Sequence, residues 1–246
     1  MRKLKIPTNL TSLAYKSIKE YILEGRLDEE SRLTEEFLSS QLGISKSPIR
    51  EALNRLEAEG LIRIEARRGA YLRSFSNQEI DDLYDVREAL EVHAVRTGVF
   101  SPALLKELRA SNKRLRSYLK ANDRPKYIDE DVNFHATIAR ATGNARLCDV
   151  LENLQNQIWL FRRKTYDVSS SSAPDAHEAL LDALEKGGDD RSDAEGAMSR
   201  HISTVRKRLI EHLEKAALEK PAVEKPGPRK LVLPGTPAAS EIRQDV

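Results

Sequence analysis

The 246-residue sequence predicts a mainly α protein, an N-terminal winged helix-turn-helix followed by an all-helical antiparallel bundle of six or seven helices. Three observations predict it. Apolar residues recur at three- and four-residue spacing through most of the chain, which is the period of helices with one buried face. A short stretch at 61–73 alternates instead, as a small hairpin does. The composition also changes twice, near 74–78, where alternation gives way to helical pattern, and after 217, where five of the ten prolines crowd the last thirty residues. We therefore divide the chain into 1–75, 76–217 and a flexible proline-rich segment 218–246, which has too little apolar surface to offset its ordering entropy.

In the first division Leu13, Ala14, Ser17, Ile18, Tyr21 and Ile22 keep helical spacing and stop at Gly25. A second helix spans 35–42, with Thr34 placed to cap its free N–H groups and Gly43 to end it. A third starts with Ser47 as N-cap and Pro48 at the first helical position, where a missing N–H costs nothing. Its apolar stripe is Ile49, Ala52, Leu53 and Leu56, and Gly60 stops it. Leu61 to Glu65 and Ala70 to Arg73 then read as two strands around the basic turn Ala66-Arg67-Arg68-Gly69. From Asn77 onward helices are predicted over 77–97, 101–121, 124–142, 144–165, 174–186 and 192–217, the last opened by a capping box of Ser192 with Glu195.

Composition narrows the function. The net charge is only +2, from 41 basic and 39 acidic residues, so there is no global polyanion signature. Residues 44–73 nevertheless hold seven Lys/Arg against four Glu, an excess that helix geometry can gather on one face. No stretch approaches the roughly 18 consecutive apolar residues of a membrane-spanning helix, and the first dozen residues have no apolar core of a secretory signal. A single cysteine, Cys148, allows no intrachain disulfide, and a cytoplasmic location is expected.

The turn between the second and third helices, Gly43-Ile44-Ser45-Lys46, is too short to pack by itself, so the two helices must cross closely and leave the start of the third exposed. That end offers Ser45, Lys46, Ser47, Arg50 and Asn54, side chains that reach phosphates and major-groove base edges. Arg67, Arg68 and Gly69 at the hairpin tip suit a wing lying beside the groove. Arg50 by itself is equally read as a solvated arginine paired with a nearby glutamate.

The second division holds the five histidines, at 93, 135, 177, 201 and 212. Asp131 and His135 are four apart and share one side of a helix. His177 begins a helix, and His201 falls on the apolar line Met198, His201, Val205 and Leu209. Buried imidazoles need partners, and three with one carboxylate suit a divalent cation such as zinc or nickel. The residues alone leave open three independently packed histidines. His93, aligned with Val86 and Leu90, reads as core or interface, and His212 is about 16 Å of helix rise from His201, too far for one ion.

Residues 12–73, above all GISKSPIREALNRLEAEGLI followed by RRG, resemble the winged helix-turn-helix of bacterial GntR-type transcriptional regulators. The resemblance implies that Lys46 and Arg50 contact bases or phosphates, that Ser45 and Ser47 position the helix, and that Arg68-Gly69 approaches the minor groove. Lysine at 46, where the family commonly has arginine, and Glu29, Glu30 and Glu36 depart from its pattern. Residues 80–214 resemble the helical ligand-sensing domain of the fatty-acid-regulator branch, with Asp131, His135, His177 and His201 matching its metal-binding residues in order and context. That branch implies one divalent metal per chain, a homodimer on an inverted-repeat DNA operator, and a small carboxylate effector. Arg87 matches its inward-directed arginine, and Asn133, Asn156, Arg162 and Arg163 are further pocket candidates. The chain is thus expected to be no enzyme. Two other readings are a metallohydrolase using the same cluster and an architectural DNA binder without effector response.

Overall fold

Start and stop signals in the sequence set the first elements. The computed structural model describes residues 10–24, 27, 31–162, 165–188 and 190–219, which fall into two units parting between Arg73 and Ser74. The first unit contains helices α1 (Leu10–Leu23), α2 (Glu35–Leu42) and α3 (Lys46–Ala58) and strands β1 (Ile62–Glu65) and β2 (Gly69–Leu72). Thr34 caps α2 by accepting the Phe37 N–H at 3.1 Å, and Gly43 ends it at φ 65°. The cap of α3 differs from expectation. The helix begins at Lys46 with Ser45 in the N-cap position, because Ser45 takes the extended backbone of a cap while Ser47 is already helical.

β1 and β2 pair antiparallel with Ile62 opposite Leu72 and Glu65 opposite Gly69, so the hairpin sits one residue from the predicted bounds at its second strand. Leu33 adds a bridge to Ala70, exchanging both backbone hydrogen bonds at 2.8 Å, a long-range pairing with no local signal. This bridge explains Gly69. At φ 108° a side chain there would be strained, and its Cβ would come within 2.7 Å of the Leu33 carbonyl oxygen.

The second unit is a bundle of seven described helices, α4 (Asn77–Thr97), α5 (Pro102–Lys120), α6 (Arg124–Arg140), α7 (Ala145–Arg162), α8 (Tyr166–Ser169), α9 (Ala173–Lys186) and α10 (Ser192–Glu219). α10 lies along α4 and α9, and α6 packs against α4, α5 and α7. Tyr84, Leu108, Phe134, Ile158, Leu181, Met198 and Ile202 fill the core between them. A capping box does form, at Ser76 with Glu79 opening α4. The one predicted at Ser192 is displaced, because Glu195 turns to Arg96 of α4 at 2.5 Å and Asp190 accepts the Ser192 N–H instead. Beyond Glu219 the proline-rich segment lies outside the described residues, as do Gly25, Glu29 and Glu30.

Candidate DNA-reading surface and metal centre

Burial fixes which side of α3 is presented. Ile49, Ala52, Leu53 and Leu56 are 0 to 4% exposed, and the larger of these side chains each gain ~1.5–3 kcal/mol on burial, so the apolar stripe sets the helix's orientation. Ser45, Lys46, Ser47, Arg50 and Asn54 are left exposed, as are Arg67 and Arg68 at the wing tip, where Arg67 takes φ 64°. Both principal cations have acidic neighbours on α2. Arg50 donates through Nε and Nη2 to the two carboxylate oxygens of Glu35, each at 2.7 Å, and Lys46 Nζ reaches Glu36 Oε1 at 2.5 Å. The glutamate partner of Arg50 is therefore Glu35, in the first turn of α2.

In the bundle, Asp131 and His135 of α6, His177 of α9 and His201 of α10 come together, each 6% exposed or less. His177 Nε2 lies 3.3 Å from His201 Nε2 and 3.7 Å from Asp131 Oδ1. One ligand nitrogen from each of the three histidines falls within 4.8 Å of the other two. Among the described residues Asp131 Oδ1 and His135 Nε2 have no hydrogen-bond partner, a costly state for buried polar atoms. Burial pushes His177 down to about 3 against the opposing pull of Asp131, and burial with the neighbouring histidines holds His201 well below the ordinary imidazole range. Three imidazoles gathered within reach of one another, with a carboxylate oxygen beside His177, are a donor set that fits a divalent ion. Phe134 stacks on His177 at 4.0 Å and fixes the plane of that ring.

Two buried ion pairs surround the cluster. Arg162 Nη1 donates to Asp131 Oδ2 at 2.5 Å. Burial would raise the Asp131 carboxyl, but Arg162, then His135 and His177, hold it well below the usual carboxylate range. Arg162, read from sequence as a pocket residue, is thus committed on one side to the aspartate, and its Nε has no partner among the described residues. Arg87 donates through Nε to Glu91 Oε1 at 2.6 Å, while its Nη2 has no partner among the described residues. Glu91 also meets His135 Nδ1 and accepts from Gln155 Nε2 at 3.2 Å. Burial favours the neutral acid, yet Arg87 and His135 hold the Glu91 carboxyl at about 2. Sequence reasoning missed Glu91 and Gln155. A signal for Glu91 was present, since Arg87 and Glu91 sit i,i+4 on the face of α4 that buries Tyr84 and Ala94.

A cavity of about 430 Å³ opens between α6 and α7, lined by Asn133, His135, Arg140, Gln155 and Asn156 together with Glu91. It brings Asn133 and Asn156 to the same space as His135. Arg163 lies outside the described residues. His93 is exposed, which removes the core alternative of its reading as core or interface, and its groove includes Asp85, Arg96 and Ser199. His212 is exposed and is not part of the cluster.

A basic winged helix-turn-helix in one unit and a helical bundle in the other define a DNA-binding transcriptional regulator. Residues 10–72 match "Bacterial regulatory proteins, gntR family" and residues 82–204 match the FCD domain. The chain belongs to the GntR family, with an FCD domain as its second part. It is similar to a "Probable D-xylose utilization operon transcriptional repressor" of Paenarthrobacter nicotinovorans, 28% identical over 74% of this chain and 80% of that one. The gluconate operon transcriptional repressor of Bacillus licheniformis is 32% identical over 54% of this chain and 56% of its own length. Among solved structures, E. coli McbR/YncC shares the fold with a TM-score of 0.72 at 22% identity, covering 84% of this chain and 99% of that one. These matches are to regulators, which removes the metallohydrolase reading.

Proposed function

We propose that this chain is a homodimeric, cytoplasmic repressor that reads an inverted-repeat operator through residues 1–75 and senses a small organic acid through residues 76–217. In this reading Ser45, Lys46, Ser47, Arg50 and Asn54 of α3, with Arg67, Arg68 and Gly69 of the wing, face the DNA. Asp131, His135, His177 and His201 hold one divalent metal, zinc or nickel, which when bound supplies a Lewis-acid anchor for a carboxylate. The observation that carries the metal reading is the convergence of three buried imidazole nitrogens within 4.8 Å of one another, with Asp131 Oδ1 3.7 Å from His177 Nε2. We assign to the effector's oxygens the donors Arg87 Nη2 and Arg162 Nε, which are buried and have no partner among the described residues. Asn133 and Asn156 offer amides at the adjoining cavity, and Arg163 completes the set read from sequence.

Two-fold duplication supplies the length of address that one recognition helix lacks. Regulation requires the effector to favour one DNA-binding state over the other, since equal affinity for both shifts nothing. The names of the xylose and gluconate repressors direct the search to sugar-derived and other hydroxylated acids. The test is a thermal-shift screen of small mono- and dicarboxylates on the metal-loaded protein, followed by operator affinity with each hit. Stabilisation lost in His177→Ala and coupled to a change in operator affinity supports the reading. Hits that bind equally without metal and leave DNA affinity unchanged at saturation overturn the sensor, and failure to enrich any palindrome from random duplexes overturns the operator.

A further inference from the structure

Glu91 is 1% exposed and is no member of the ligand set, yet three partners on three helices converge on it. Its Oε2 meets Nδ1 of His135 on α6, and its Oε1 accepts from Nε of Arg87 on α4 and from Nε2 of Gln155 on α7, at 2.6 and 3.2 Å. Burying a carboxylate is expensive even when paired, and an apolar side chain would fill the same space at less cost. A carboxylate bound to a guanidinium can only accept, so the hydrogen it takes from His135 is the one on Nδ1. With Nδ1 carrying the hydrogen, Nε2 is the nitrogen that offers a lone pair to an ion. Among the described residues Nε2 is the His135 ring nitrogen without a partner. His135 and His201 further lie with their rings 5.3 Å apart and nearly parallel, which leaves the His135 ring little freedom to turn.

We infer that Glu91 is the positioning residue of this centre. It locks His135 in the Nδ1–H form and aims Nε2 at the ion, while Arg87 and Gln155 hold Glu91 in place. This rests on the metal reading above. It also gives Arg87 two tasks, so that an effector oxygen drawn to its Nη2 acts on the metal through a chain of two contacts, Arg87 to Glu91 and Glu91 to His135. By linkage, metal and effector must then alter each other's affinity.

The experiment uses the full chain stripped with a chelator and titrated with zinc against a competing indicator. Glu91→Gln should weaken zinc binding by roughly 10- to 100-fold, the usual effect of losing such an outer carboxylate. Because that change leaves Arg87 buried without its countercharge, Arg87→Met/Glu91→Gln is measured beside it and should show the same loss. Side-chain ¹⁵N spectra of the wild type should place the hydrogen on His135 Nδ1 before and after zinc, and a folded variant should show both tautomers. Variants that bind zinc as tightly as the wild type, or a wild-type His135 protonated at Nε2, overturn the role of Glu91 and leave the metal reading standing. A wild type that takes up no zinc, nickel, cobalt or manganese overturns the metal reading and this one with it. Should neither variant fold, the wild-type tautomer alone decides.

Discussion

The acid–base pairs of the two units join the same residue types at similar distances, 2.7 and 2.6 Å, and with opposite burial. Arg50 and Glu35 form a two-pronged pair with side chains 64% and 27% exposed, while Arg87 and Glu91 pair at 2% and 1%. Water competes for the first pair continuously, so it adds little to stability and its arginine can change partner. A phosphate or a guanine edge offers Arg50 the same forked acceptor that Glu35 offers. The second pair has no such competitor. Once desolvated, each charge depends on the other, and the pair acts as a fixed strut beside the histidines. Similar chemistry therefore serves exchange at the DNA-reading surface and immobility in the bundle.

Removing one buried partner should give the largest effect. Arg162→Met leaves Asp131 with an uncompensated buried charge and should cost about 3–5 kcal/mol of unfolding free energy in the metal-free protein. Urea unfolding measures it, and Asp131→Asn added to that variant should restore much of the loss. A single variant as stable as the wild type would show that water reaches the pair.

Acid should separate the units next. Folded His177 sits at about 3 against an ordinary 6.5, so below 6.5 the unfolded chain binds a proton that the folded one refuses. Stability from this group is complete above that pH and is lost as pH falls toward 3. The melting temperature of the metal-free chain should drop between pH 7 and 5, a window above the range where carboxylates titrate. A flat profile across that window would contradict the burial of the cluster.

At the exposed pair the readout moves from stability to DNA. Arg50→Ala should weaken specific operator binding by roughly tenfold to a hundredfold, with unchanged mass and melting temperature. The comparison breaks if the melting temperature falls as it does for Arg162→Met. Glu35→Gln should have the smallest effect. It frees Arg50 from its intramolecular acceptor and should raise affinity for random duplex a few-fold, with a steeper salt dependence. Unchanged binding to random duplex across a salt titration would show that Glu35 does not compete with phosphate.

How legible each part was follows from the range of the interactions that made it. Thr34 and Gly43 were readable as caps because capping joins residues three or four apart, and the apolar stripe of α3 was readable because one helix period contains it. The capping box assigned to Ser192 and Glu195 failed because Arg96, distant in sequence, offered Glu195 a full charge. Sequence spacing put Asp131 and His135 on one side of a helix but said nothing of the 42 residues to His177 or the 24 to His201. The family resemblance supplied that grouping, and the geometry brought the side chains within reach of one another.

What the sequence by itself determined is the set of helices apart from the short α8, the small wing, the exposed face of α3 and the candidates for the cluster, all carried by periodicity, local caps and recognisable motifs. Only the tertiary structure decided that Arg162 belongs to Asp131, that Arg50 has Glu35 as its partner, and that Glu91 stands behind His135. Each of these joins residues 15 to 44 positions apart, beyond the reach of any local period. Moreover, an ion pair's meaning depends on the water around it, and exposure is a property of the packed whole rather than of either residue.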